Sequence, residues 1–240
     1  MTDAELAALL AETAGRLLIA LRESGTVTGK ALGDAGDVTA NAYLMSALSA
    51  LRPLDAILSE ERVDDLSRLD ASRVWIVDPL DGTREYSEGR DDWAVHVALS
   101  IDGHAAVGAV ALPAQGQLLR SDQPPPPVVR PERPRLLVSR TRPPPESDLL
   151  AERLGGDLVP MGSAGAKAMA VLLGQGDIYL HTGGQHQWDN AAPVAVALGA
   201  GMVATRVDGS PCRYNARETL LPDLLICPPE WEPRVRAALE

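Results

Sequence analysis

The chain of 240 residues is 45% hydrophobic and 23% charged, enough apolar material for one large or two small globular domains, which excludes disorder as the dominant state. With 33 acidic against 22 basic residues the net charge is −11, which disfavours binding along a nucleic-acid backbone or to an anionic membrane. Nineteen prolines, 3% aromatic residues and no Phe leave Leu, Val, Ile and Ala to fill the core.

The N-terminal stretch places Leu6, Leu9, Leu10, Leu17 and Leu21 at helical spacing, with Thr2 or Asp3 as the cap ahead of Glu5. It carries acids where a secretory signal carries bases, and no segment reaches the roughly 20 continuous apolar residues of a membrane span. A cytoplasmic protein is expected. Next comes a glycine and aspartate loop, GKALGDAGDVTAN, and then a second amphipathic stretch that Pro53 stops. Two long helices joined by a polar loop form the first layer.

Short apolar runs follow at 55–58 and 73–77, ending in SEE and in DPLDGT, so carboxylates gather at strand ends. Asp102 and Gly103, between apolar runs at 93–101 and 105–112, are a hairpin signal and imply antiparallel pairing. The proline-rich segment 121–134 can continue neither a ladder nor a helix, and a domain boundary is placed inside it. Beyond it strands and helices alternate: RLLVS, ESDLLAERL, DLVP, AGAKAMAVLL, DIYLH, AAPVAVALGA, GMVATRV, DLLIC and a last helical turn. The expected organisation is an N-terminal α+β unit over 1–133 and a smaller α/β unit over 134–240.

The stretch WIVDPLDGT carries the most chemical information. An apolar strand delivers Asp78, Pro79 is expected to stop the ladder, and Asp81 follows at the mouth of a Gly82 turn. Two carboxylates so close, with the Leu80 carbonyl between them, offer hard oxygen ligands to divalent cations. Carboxylates that converge without a partner repel one another, so they need protons or metal. Taken singly, Asp189 in WDNAAP reads as a helix cap and SEE as a solvated loop end. Their occurrence together, in the order SEE, DPLDGT, WDNAAP, favours a metal site.

With these motifs the chain resembles the lithium-sensitive, magnesium-dependent phosphomonoesterases of the inositol monophosphatase superfamily, nearly from end to end. VSRTR at 138–142, GSAGAKAM at 162–169 and DGSPCRYNARETLLPDLL at 208–225 make it most similar to the 3′(2′),5′-bisphosphate nucleotidase branch. The resemblance implies a sugar-phosphatase-like αβαβα sandwich. It also implies magnesium, two ions with a third left open, and removal of the 3′-phosphate of 3′-phosphoadenosine 5′-phosphate or its sulfated relative by a metal-activated water. Sulfur assimilation and nucleotide recycling would be the setting.

By the same resemblance Glu60, Asp78 and the Leu80 carbonyl hold one magnesium, and Asp78, Asp81 and Asp189 a second. Gly82 and Thr83 offer amides to the scissile phosphate, and the Thr83 hydroxyl orients the attacking water. Asp37, in the glycine-rich loop, is the candidate for water activation or a third metal, yet Asn41 stands near a commonly acidic position, so a mobile lid is the alternative. A second phosphate needs a second anion site. Lys167 with Gly162 and Ser163 at a helix start, and Ser139 with Arg140 at a strand end, are its candidates. The implied partner is a small phosphorylated nucleotide, bound by a monomer or homodimer.

The four histidines show no ligand spacing, and His96, inside an apolar strand, reads as a satisfied core residue. Cys212 and Cys227 have no metal spacing and are expected as buried free thiols. The rival readings are inositol monophosphatase or fructose-1,6-bisphosphatase activity and, in another class, a non-catalytic nucleotide or metal sensor.

Overall fold

The computed structural model describes residues 1–239. Helix α1 (Asp3–Glu23) starts at a reciprocal cap, in which Glu5 N donates to Thr2 Oγ1 and Thr2 N donates to the Glu5 carboxylate. Helix α2 (Gly29–Leu51) follows after five residues. The loop expected at 29–41 is therefore part of this helix. Two of its glycines serve close approach: a Cβ at Gly33 would sit 2.8 Å from Thr83 Cγ2, and one at Gly36 2.9 Å from Leu80 Cδ2. The alternative of a mobile lid has no loop to rest on.

The first sheet runs in the order β1 (Ala56–Ser59), β2 (Arg73–Asp81), β3 (Ala94–Ile101), β4 (His104–Leu112), β5 (Gln117–Arg120). Only β1 and β2 are parallel, as expected of a largely antiparallel sheet. Asp102 and Gly103 both take positive φ, which suits the tight turn of the β3–β4 hairpin. The short strand β5 has no counterpart in the sequence reading.

Pro79 does not end β2. Asp78 pairs with His96 and Asp81 with Ala94, so three steps on β2 face two on β3. The extra residue forms a β-bulge, the one interior position where a proline without N–H is tolerated. The bulge turns both Asp78 and Asp81 toward the same site.

After a five-residue helix α3 (Thr83–Ser87), the second half of the chain supplies β6 (Arg135–Ser139), α4 (Glu146–Leu154), β7 (Asp157–Met161), α5 (Ala164–Leu172), β8 (Ile178–His186), α6 (Gln187–Gly199), β9 (Val203–Thr205), β10 (Leu220–Cys227) and α7 (Glu232–Leu239). Its sheet has the order β7-β6-β8-β10-β9, parallel on the β7–β6–β8 side and antiparallel toward β9. The alternation read from the sequence is present element by element.

The period of two along the strands divides the apolar residues into three cores. Trp75, Val77, Val95 and Val97 pack against α1 and α2. Val74, Ile76, Ala94 and Ala98, from the opposite face, share a middle core with Met169 of α5, Val194 of α6, and Leu137, Tyr179 and Ile226 of the second sheet. Leu136, Ile178, Leu180 and Leu225 face α4 and α7. The layers are thus helix, sheet, helix, sheet, helix, the expected αβαβα sandwich. Both cysteines are buried and unpaired.

Candidate active site

The acidic site forms where the bulged end of β2 meets the starts of α5 and α6. One carboxylate oxygen from each of Asp78, Asp81 and Asp189 lies within 4.8 Å of the others, a cluster that could hold a metal ion. Glu60, just past β1, brings its carboxylate within hydrogen-bonding reach of Asp78. Asp189 caps α6 as well, though not as its N-cap: that position is His186, and Asp189, the third helical residue, reaches back so that its Oδ2 accepts from His186 N at 2.5 Å.

Such crowding has an electrostatic signature. Burial, then the charges of Glu60, Asp81 and Asp189, raise Asp78 well above the ordinary carboxylate range. Desolvation followed by the charge of Asp81 pushes Asp189 up to about 7, and desolvation followed by the charge of Asp189 does the same for Glu60. These carboxylates must carry protons at neutral pH or be neutralised by cations. That donor set of converging hard carboxylate oxygens suits a divalent metal cation.

Asp81 is the exception. Burial pushes it upward, but His96 and the donors around it hold it down at about 2. Its oxygens accept from Ala164 N at 3.1 Å and Gly165 N at 2.6 Å at the start of α5, and from the Ser163 hydroxyl. Asp81 therefore stays ionised and sits at a helix N-terminus, where the peptide dipoles favour an anion. Ser163 adopts φ +52, a region disfavoured for a residue with a side chain, and is held there by its bonds to Asp81 and from Ala166 N. Gly82 takes φ +90, a conformation that a residue with a side chain rarely adopts, and a Cβ there would also be tight, 3.2 Å from Ser163 Cβ and 3.3 Å from Trp93 Cβ.

The Thr83 hydroxyl has two acceptors, the Leu80 carbonyl at 3.2 Å and Asp37 Oδ1 at 3.3 Å. Desolvation, then the charge of Glu61, pushes Asp37 up to about 7. Asn41 accepts from the Ser59 hydroxyl at 2.8 Å, bracing the turn that carries Glu60.

A cavity of about 330 Å³ opens beside this centre, and Asp81, Gly82, Thr83, Ser139, Arg140, Gly162, Ser163, Lys167 and Asp189 all line it. The structure thus gathers at one opening most of the residues expected to bind substrate; Leu80, also expected to touch it, is buried and is not part of this lining. Several of their polar groups are already engaged. Gly162 N donates to Asp92 at 2.6 Å, Arg140 spans Glu85 at 2.8 Å and Glu88 at 2.9 Å, and Lys167 is buried with its ammonium donating to the carbonyls of Gly162 and Ser163.

His96 belongs to the site in a way its place in an apolar strand concealed. It is fully buried, with Nδ1 3.0 Å from the Trp188 carbonyl and Nε2 3.2 Å from Asp81. Burial alone would lower its basicity, but Asp81 raises it. Glu85 and Asp92 were likewise missed, because Arg140 and the Gly162 amide, from which they accept, lie far away in the chain, and so were Tyr179 and Gln185, which bond each other six positions apart. Among the described residues no helix is long and apolar enough to cross a membrane.

The comparisons with known proteins agree with this geometry. The model of the inositol monophosphatase family matches residues 6–240. The 3′-phosphoadenosine 5′-phosphate phosphatase of Mycobacterium leprae is 52% identical over 95% of this chain and 89% of its own length. The 3′(2′),5′-bisphosphate nucleotidase CysQ of Escherichia coli is 32% identical over 78% of this chain and 81% of its own length. The crystal structure of CysQ from Bacteroides thetaiotaomicron superposes with a TM-score of 0.78 at 23% identity, covering 93% of this chain and 96% of that one. The αβαβα fold, the convergent aspartates and these similarities lead to one conclusion: the chain is a phosphatase and belongs to the inositol monophosphatase family.

Proposed function

We propose that the protein hydrolyses the 3′-phosphate of 3′-phosphoadenosine 5′-phosphate, giving adenosine 5′-phosphate and inorganic phosphate, with magnesium as its cation. The observation that carries the reading is the convergence of Asp78, Asp81 and Asp189 within 4.8 Å at the wall of a cavity that Thr83 also lines. The substrate class follows from the mycobacterial relative at 52% identity. Consumption of that bisphosphate fits a role in sulfur assimilation.

Asp78, Asp81, Asp189, Glu60 and the Leu80 carbonyl would hold the cations. Magnesium bound there supplies Lewis-acid stabilisation of a phosphoryl group and acidifies water. The chain's own residues do the rest. Asp81, fixed by α5 and His96, stays ionised and rigid. Thr83 Oγ1 holds its proton toward Leu80 or Asp37, and the half-buried Asp37 carboxylate can take up a proton near neutrality. Water therefore has a short route for its proton through Thr83 to Asp37.

A panel of adenosine 3′,5′-bisphosphate, inositol 1-phosphate and fructose 1,6-bisphosphate tests the substrate. The reading expects the highest kcat/KM on the adenosine compound with adenosine 5′-phosphate as product. A preference for either sugar phosphate, or release of the 5′-phosphate, would refute it.

A further inference from the structure

A bisphosphate brings a second anion that the metal centre cannot neutralise, so some cation in the cavity must meet it. Four basic side chains line the opening: Arg84, Arg140, Arg142 and Lys167. Two are committed. Arg140 holds Glu85 and Glu88, tying the end of β6 to α3, and a phosphate there would have to displace both carboxylates. Lys167 is 5% exposed, bonded to two carbonyls, with its ammonium 5.4 Å from the centre of the Tyr179 ring. The nearby amides are committed as well, since Asp92 takes that of Gly162 and Asp81 those of Ala164 and Gly165.

Arg84 and Arg142 differ from these. Both are exposed, both face the cavity, and among the described residues neither guanidinium is held by a carboxylate. Arg84 directly follows Thr83 on α3, so it comes from the first half of the chain. Arg142 comes from the second half, on the segment after β6, which the bond from Arg142 N to Ser139 Oγ at 3.2 Å folds back. Two free guanidinium groups from separate segments suit a dianion, because each presents a planar pair of N–H donors.

We propose that Arg84 and Arg142 together receive the non-scissile phosphate, and that this pair, rather than Lys167 or Arg140, makes the site select bisphosphates. This rests on the bisphosphate reading above. Because the pair is exposed, its attraction is screened by salt, whereas a buried group in a structural role is not.

The test measures KM and kcat for adenosine 3′,5′-bisphosphate at two ionic strengths in the wild type, Arg84→Ala, Arg142→Ala, the double variant and Arg84→Lys. Each single alanine variant is expected to raise KM about tenfold while kcat changes less than threefold, the pattern of lost uniform binding. Arg84→Lys should recover part of the loss, and the salt dependence of KM should flatten in the double variant. Unchanged KM in all variants, or a fall in kcat at constant KM, would overturn the assignment. Failure of the wild type to hydrolyse the adenosine compound would instead refute the proposed function. The same variants would then be tested on fructose 1,6-bisphosphate, where an unchanged KM again overturns the role of the arginines.

Discussion

The Asp81 carboxylate lies 3.2 Å from Nε2 of the fully buried His96, and the first amides of α5 close on it from the other side. One aspartate thereby stays charged inside a cluster whose other members are driven toward protonation. Electrostatic diversity among neighbouring carboxylates comes from which of them has donors, and only Asp81 has a full set.

That seat depends on Gly165. A Cβ there would lie 2.0 Å from His96 Nε2, a ring that is fully buried and cannot swing away. Gly165→Ala should destabilise the protein by about 1–3 kcal/mol through overpacking and lower kcat at least tenfold, by shifting His96 off Asp81. Denaturant unfolding and steady-state kinetics check both effects. A variant with unchanged stability and rate would show that the contact is not needed.

The raised carboxylates make the metal-free protein sensitive to pH. Asp37, Glu60 and Asp189, at about 7, and Asp78 above its ordinary range keep protons that the unfolded chain loses near pH 4. The unfolded state then binds fewer protons than the native state, so stability falls as pH rises from about 4 to 7. Asp81 acts in the opposite sense, adding stability that is present above pH 4 and lost as the pH drops through about 2. Metal-free Tm is expected to decline between pH 5 and 8, and magnesium to reverse that decline. Asp78→Asn, which keeps the Oδ1 that accepts from Leu80 N, should raise the metal-free Tm at pH 8 while removing the response to magnesium. A lower Tm for this variant would contradict the idea that burying the Asp78 carboxyl among other acids costs stability.

Helix α2 reaches the site through Gly33, whose missing side chain makes room for the Thr83 methyl at 2.8 Å from the position of a Cβ. Gly33→Ala gains up to about 1 kcal/mol of helix propensity yet should push Thr83 off its acceptors, so stability holds while kcat falls about tenfold or more. Thr83→Ser keeps the hydroxyl and deletes the obstructing methyl. The double variant is therefore expected to recover activity relative to Gly33→Ala, a coupling that a double-mutant cycle measures. Additive losses would mean that the two residues act independently.

Much of this was legible in the sequence where the determinants are local. DPLDGT and WDNAAP each place acids at an element end, and the alternation after residue 134 follows from short-range apolar patterns. The bulge at Pro79 was not, because a proline ends a ladder unless the partner strand accommodates an extra residue, and that is decided by the β2–β3 register. Nor was the helix through 29–41: its glycines look like loop residues until Thr83, Leu80 and Tyr86 are seen packed against them. The seat of Asp81 joins residues more than eighty positions apart, and no local pattern announces that Ser163 and Gly165 serve it. His96 was read as a core residue, which its burial supports, but its ring nitrogen faces an aspartate that only the fold brings near.

The most direct test of the whole account is magnesium titration into chelator-stripped protein while phosphate release from adenosine 3′,5′-bisphosphate is followed. The wild type is expected to be inactive without the cation and to gain activity saturably as it is added, whereas Asp189→Asn stays inactive at every concentration. Full activity in the chelator, or turnover by Asp189→Asn at the wild-type rate, would contradict the claim that the convergent aspartates form a cation-dependent phosphatase centre.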